Sequence, residues 1–103
     1  MTTETKNTPT SDSAESNKTI HPPRYHVIMH NDDYTTMEFV IALLQKVFRK
    51  SSQEAPQLML TIHTEGQATC GCYPHEIAET KITLAHYHAK EAGYPLRCSL
   101  DEA

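Results

Sequence analysis

The residues with the most chemistry to offer stand together in His30-Asn31-Asp32-Asp33-Tyr34-Thr35-Thr36-Met37, where an extended apolar run stops, three polar side chains follow, and an amphipathic pattern begins. Asn and Asp suit turns because their short side chains hydrogen-bond to nearby backbone, so one reading is an Asx turn with solvated carboxylates. The other is a ledge for a cation. Two carboxylates and an amide carbonyl at a helix mouth can accept hydrogen bonds from an ammonium, or offer oxygen to a hard divalent metal. A Mg or Ca site normally recruits more oxygen ligands than this cluster supplies, and the chain has no Asp-x-Asp-x-Asp-Gly spacing followed by Glu. An ammonium therefore ranks above a metal.

Cys70, Cys72, His75 and Cys98 can each ligate zinc. Cys-x-Cys within a strand is not the Cys-x2-Cys knuckle, however, and no second such pair occurs. Small thiols filling a sheet core is the simpler reading. Neither His-Glu-x-x-His nor a serine-centred elbow is present, so the residues give a catalytic reading little support. Among the seven histidines, His63 is marked out because it shares a helical face with Met59 and Ile62. A polar residue at that position fits either the edge of a core or the lip of a pocket.

These side chains need elements to position them. Tyr25-His26-Val27-Ile28-Met29-His30 alternates, with Tyr25, Val27 and Met29 on one face and His26, Ile28 and His30 on the other, which predicts a first strand. Thr35 lies three residues before Glu38, the capping-box spacing, and Met37, Val40, Ile41, Leu44, Val47 and Phe48 follow at helical intervals to about Arg49. Ser51 and Glu54 repeat the box, and Leu58, Met59, Ile62 and His63 continue a second helix that Gly66 can end. Pro56 is awkward there, because beyond a first turn it removes a backbone donor.

Ala68-Thr69-Cys70-Gly71-Cys72-Tyr73 reads as a short strand with Cys70 and Cys72 on one face, and Pro74 is placed to open the next helix. Ile77, Ala78, Ile82, Ala85, Ala89 and Ala92 are expected on that helix's buried side, with Gly93 as its stop. Leu96-Arg97-Cys98-Ser99-Leu100 alternates again. The order β-α-α-β-α-β predicts an α+β fold, a small three-stranded antiparallel sheet packed on three helices.

The whole chain sets limits. Its 103 residues suit one small domain, and the formal charge of −4 with a pI near 5.9 gives no basic field for phosphate backbones or anionic lipid. Nucleic acid and membrane are therefore not expected partners. Residues 1–23 are rich in Thr, Ser, Asn and charge and hold a single Ile, too little to offset ordering entropy, so a disordered extension is expected before a domain over 24–103. No apolar run approaches the ~18 residues of a membrane span, and no signal-peptide segment follows Met1. The expectation is a cytoplasmic protein whose odd number of cysteines stays reduced.

Four motifs in order carry a resemblance: His30-Asn31-Asp32-Asp33-Tyr34-Thr35-x-Met37, Met59-Leu60-x-Ile62-His63, Cys70-Gly71, and Glu76-Ile77-Ala78-Glu79-Thr80-Lys81. Over residues 24–103 the chain closely resembles ClpS, the adaptor family of the ATP-dependent Clp protease. That resemblance implies an adaptor, not an enzyme, without a cofactor, that binds proteins through a destabilising N-terminal residue (Leu, Phe, Tyr or Trp) and hands them to the ClpA unfoldase of ClpAP. By motif position, Asn31, Asp33 and His63 would hold the substrate α-ammonium with Asp32 beside them. Met37, Val40, Met59, Ile62 and Leu96 would line the side-chain pocket. Glu76 and Lys81 would dock on the ClpA N-terminal domain, and the polar tail would serve in delivery. Thr36 stands where the family usually has Pro, Cys72 where an aliphatic residue is common, and Pro56 interrupts the second helix. The alternatives are a small metal-binding regulatory protein using Asp32, Asp33 and histidines, and a specialised paralogue whose cargo differs.

Overall fold

The computed structural model describes residues 22–103; the extension expected over residues 1–23 lies outside the described residues as far as residue 21. The elements follow the expected order: β1 (Arg24–His30), α1 (Met37–Lys46), α2 (Glu54–Glu65), β2 (Gln67–Pro74), α3 (His75–Ala92) and β3 (Arg97–Glu102). The sheet is antiparallel with β1 in the middle, in the order β2-β1-β3. Period-2 alternation decides which face of β1 is covered. Val27 and Met29 are fully buried, while His26, Ile28 and His30 on the opposite face are only half-buried. Leu43, Leu44, Val47 and Phe48 from α1 and its exit, with Ala55, Met59 and Ile62 from α2, complete one core with them.

β2 is bulged. Val27 lies opposite Gly71 but Ile28 lies opposite Thr69, so Cys70 is the extra residue between two paired positions. The insertion breaks strict alternation and corrects the expectation that Cys70 and Cys72 share a face: Cys70 is fully buried, whereas Cys72 pairs with His26 and is half-buried. Burial pushes both the Cys70 and the Cys98 thiols up to about 12. They are neutral core residues at ordinary pH. Gly71 lacks a side chain where the ring of Tyr73 folds back, and a Cβ there would collide with that ring.

Helix ends explain further differences. Thr36, not Thr35, caps α1, its hydroxyl accepting from the Phe39 amide at 3.2 Å; Thr35 is held elsewhere, as described below. The residue that departs from the family's usual proline thus supplies the cap. α1 ends at Lys46 instead of near Arg49, because Arg49 adopts φ 60° and turns the chain back, with the Lys50 amide donating to the Leu44 carbonyl at 3.1 Å. Ser51 and Glu54 form the expected box reciprocally: the Glu54 amide donates to Ser51 Oγ at 2.9 Å and the Ser51 amide donates to Glu54 Oε1 at 3.0 Å. Pro56 therefore sits in the first turn of α2, where its missing N–H costs little.

α3 lies across the sheet and touches all three strands. Its buried side is narrower than the spacing predicts. Ala78, Ala85 and Ala89 are buried, but Ile77 is 48% exposed and Ala92 is also exposed. The small alanines allow a close approach to the sheet, which leaves room for a thin stripe only. His86 on this helix accepts the Cys98 backbone amide at its Nε2, 2.9 Å away, closing part of the β3 edge that would otherwise be free to pair.

Candidate functional site

β1 ends where α1 and α2 converge, and the junction is a cavity of about 480 Å³. Asn31, Asp32, Asp33, Tyr34, Thr35, Thr36, Met37, Glu38, Val40, Met59, Ile62 and His63 line it. The two motifs farthest forward in the chain thus meet, although Asn31 and His63 belong to different elements. Val40 and Met59 are one helical face each of α1 and α2, and both are buried with Ile62, forming an apolar interior. Met37 stands at the first position of α1 and is 44% exposed, which places it at the mouth.

The rim is polar and its loop is held at both ends. The Asn31 amide donates to the Gly66 carbonyl at 2.9 Å, tying the exit of β1 to the left-handed cap of α2. Asp32 Oδ1 accepts from the amides of Tyr34 at 2.8 Å and Thr35 at 2.7 Å, and Oδ2 accepts from the Thr35 hydroxyl at 2.7 Å. Burial pushes the Asp32 carboxyl up, but the Thr35 and Tyr34 bonds together outweigh it and hold the group below the usual carboxylate range. Asn31, Asp33 and His63 are exposed at the rim.

His30 precedes this ledge and bonds to Ser99 Oγ at 2.7 Å. Burial and then the positive charge of Arg97 lower its pKa, against a hydrogen bond to Gln67 that works the other way. It is therefore held towards its neutral form beside the acidic rim. The rim can accept hydrogen bonds from a cationic donor while the interior takes an apolar group.

Most of the expected cavity residues come together, with one correction, Leu96. Leu96 does not line the cavity: it precedes β3, is buried in the core and can only support the site from behind. Asp32 lines the cavity, but both its oxygens are engaged by the loop. Lys81 lies away from the cavity and donates to the Val47 carbonyl at 2.8 Å, with its ammonium 5.3 Å from the centre of the Tyr73 ring, so it joins α3 to the end of α1. Glu76, in the first turn of α3, is exposed. Tyr34, Thr35, Thr36 and Glu38 also line the cavity; their signal was available, since all lie within or directly beside the first motif.

Comparison with known proteins agrees with this architecture. Residues 20–99 match the family model described as ATP-dependent Clp protease adaptor protein ClpS. The ClpS adapter protein of Nitratidesulfovibrio vulgaris is 52% identical over 81 residues, covering 79% of this chain and 78% of that one. The ClpS adapter protein of Desulfotalea psychrophila is 44% identical over 100 residues, covering 97% and 98%. Among solved structures, Agrobacterium tumefaciens ClpS2 bound to L-phenylalaninamide superposes with a TM-score of 0.78 at 40% identity, covering 81% of this chain and 100% of that one. These matches define the class of the protein, a small adaptor and not an enzyme. The chain belongs to the ClpS family of adaptors of the ATP-dependent Clp protease. No helix among the described residues is long and apolar enough to cross a membrane.

Proposed function

We propose that the cavity receives the first residue of a protein whose N-terminus is free. The α-ammonium sits on the rim, bonded by Asn31, Asp33 and His63, and a Leu, Phe, Tyr or Trp side chain enters between Met37, Val40, Met59 and Ile62. The bound protein is then delivered to the ClpA unfoldase for degradation by ClpAP, with Glu76 and Lys81 on the docking side and the residues before Arg24 assisting delivery. The observation that carries this reading is the pairing, in one cavity, of an apolar interior with an acidic rim. It is supported by the ligand of the Agrobacterium relative, which joins a free amine to an aromatic side chain.

The magnitudes fit an adaptor that must release its cargo. Burying one large apolar side chain yields about 1.5–3 kcal/mol, and each charge-assisted hydrogen bond about 1.5–3 kcal/mol. Association takes back several kcal/mol. The surplus corresponds to moderate affinity. Among the described residues no group of three His, Cys, Asp or Glu side chains is placed to hold a metal ion, so the geometry favours an ammonium over the metal-binding alternative. The test is fluorescence anisotropy on peptides differing only in the first residue. Leu, Phe, Tyr and Trp should bind and Ser, Glu and Lys should not; a flat panel rejects the reading.

A further inference from the structure

Asn31, Asp32 and Asp33 are consecutive, but the fold uses them differently. Asp32 is half-buried and its carboxylate accepts three hydrogen bonds, at 2.8, 2.7 and 2.7 Å, from Tyr34 and Thr35. Among the described residues, the Asp33 carboxylate accepts no comparable set, and it is exposed at the rim. Charge-assisted bonds to backbone amides fix a short loop, since releasing them leaves donors unpaired. The loop has a second anchor in the Asn31 amide, which bonds to the Gly66 carbonyl at 2.9 Å. Between these anchors the backbone of Asn31–Asp33 has little freedom, and its side chains are presented on the same rim as His63.

We propose that Asp32 is a positioning residue for ligand binding: it spends its carboxylate on the entrance to α1 and thereby holds Asn31 and Asp33 against the cavity, without itself bonding the ligand's ammonium. This rests on the reading of the cavity as an α-ammonium site. The two aspartates then differ in what they require. Asp33 needs its charge, because it faces the cation. Asp32 needs acceptor oxygen in the right place, which an isosteric amide largely retains: one Asn oxygen can take both backbone amides, and the Thr35 hydroxyl can rotate to accept from the Asn NH2.

The experiment measures anisotropy with a Leu-initiated peptide on the wild type, Asp32→Asn, Asp32→Ala and Asp33→Asn, at a temperature where melting curves show each to be folded. Asp32→Asn is expected within about threefold of wild-type affinity, while Asp32→Ala and Asp33→Asn each lose about tenfold or more, the scale of one charge-assisted bond. An Asp32→Asn loss as large as that of Asp33→Asn, or a wild-type affinity for Asp32→Ala, overturns the proposal. If Asp32→Ala does not fold, Thr35→Val removes only the hydroxyl donor and should weaken binding about threefold; unchanged affinity there also overturns it. Failure of the underlying reading is separately visible, because the wild type would then bind free and N-acetylated Leu-peptides equally.

Discussion

The backbone amide of Asn31 donates to the carbonyl of Gly66 at 2.9 Å, so the last turn of α2 and the exit of β1 are one rigid corner. His63 is in that last turn and Asn31 is at that exit. The bond therefore ties the two sides of the polar rim to each other. Gly66 can serve because its φ of 91° is a left-handed conformation that turns the chain directly after α2.

N-acetylation of a Leu-peptide should abolish binding. The acetyl group removes the positive charge and two of the three N–H donors that Asn31, Asp33 and His63 would bond. Losing a charged partner of this kind costs about 2–5 kcal/mol, at least about thirtyfold in affinity. Titration of matched free and acetylated peptides checks it, and equal affinities would sink the ammonium site.

Met37 should exclude β-branched first residues. Leu branches at its γ carbon and can pass the mouth, whereas Ile and Val branch beside the backbone, where the half-exposed Met37 side chain stands. Overpacking of this size costs about 1–3 kcal/mol, or roughly fivefold to 150-fold. Met37→Ala should admit Ile-peptides and modestly weaken Leu-peptides. An unchanged Leu-to-Ile ratio means that another residue forms the gate.

Charge reversal on α3 should separate docking from stability. Glu76 is exposed and its reversal to Lys should weaken the complex with ClpA while leaving Tm within about a degree or two, as for most surface changes. Lys81→Glu should weaken the complex and also lower Tm, because the bond to the Val47 carbonyl is lost, a net cost of about 1 kcal/mol. Parallel melting curves and pull-down with the ClpA N-terminal domain check this. If Lys81→Glu keeps the wild-type Tm, the link between α3 and α1 carries no weight.

Stability should fall at alkaline pH through two buried thiols. Burial raises Cys70 and Cys98 from 9.0 to about 12, the Cys98 charge adding to the rise at Cys70 and the Arg97 charge opposing it at Cys98. The folded chain thus holds protons that the unfolded chain releases. Their contribution is complete below pH 9.0 and is lost as pH climbs towards 12, at about 1.4 kcal/mol per thiol by one pH unit above the unfolded value. Urea unfolding of the wild type and of the Cys70→Ala/Cys98→Ala double variant, at pH 8 and 10, reads it out. A pH dependence as steep in the variant as in the wild type would assign the loss to other groups.

The alternation of Tyr25–His30, the apolar periodicity of Met37–Phe48 and the Ser51/Glu54 box are local signals, and each element they specify forms in place. Local chemistry sufficed there because hydrogen bonds and side-chain faces are set within a few residues. The motifs likewise contained the rim residues and, apart from Val40, the apolar interior, since Asn31–Met37 and Met59–His63 are each continuous in the chain.

What was not legible depended on choices between equivalent local partners or on partners distant in sequence. Whether Thr35 or Thr36 capped α1 turned on Asp32 bonding the Thr35 hydroxyl and amide; both threonines offer the same acceptor, and sequence cannot rank them. The bulge that sends Cys70 inward and Cys72 to the other face is a property of the register with β1, invisible in β2 alone. Leu96 could be assigned to core or cavity only once the sheet and helices had closed around it. The residue types and their order fixed which elements form and which side chains could receive a charged amine. The packing of three helices on one bulged sheet decided which of those side chains face the cavity, because that choice is made by contacts between segments tens of residues apart, such as that of Asn31 with Gly66.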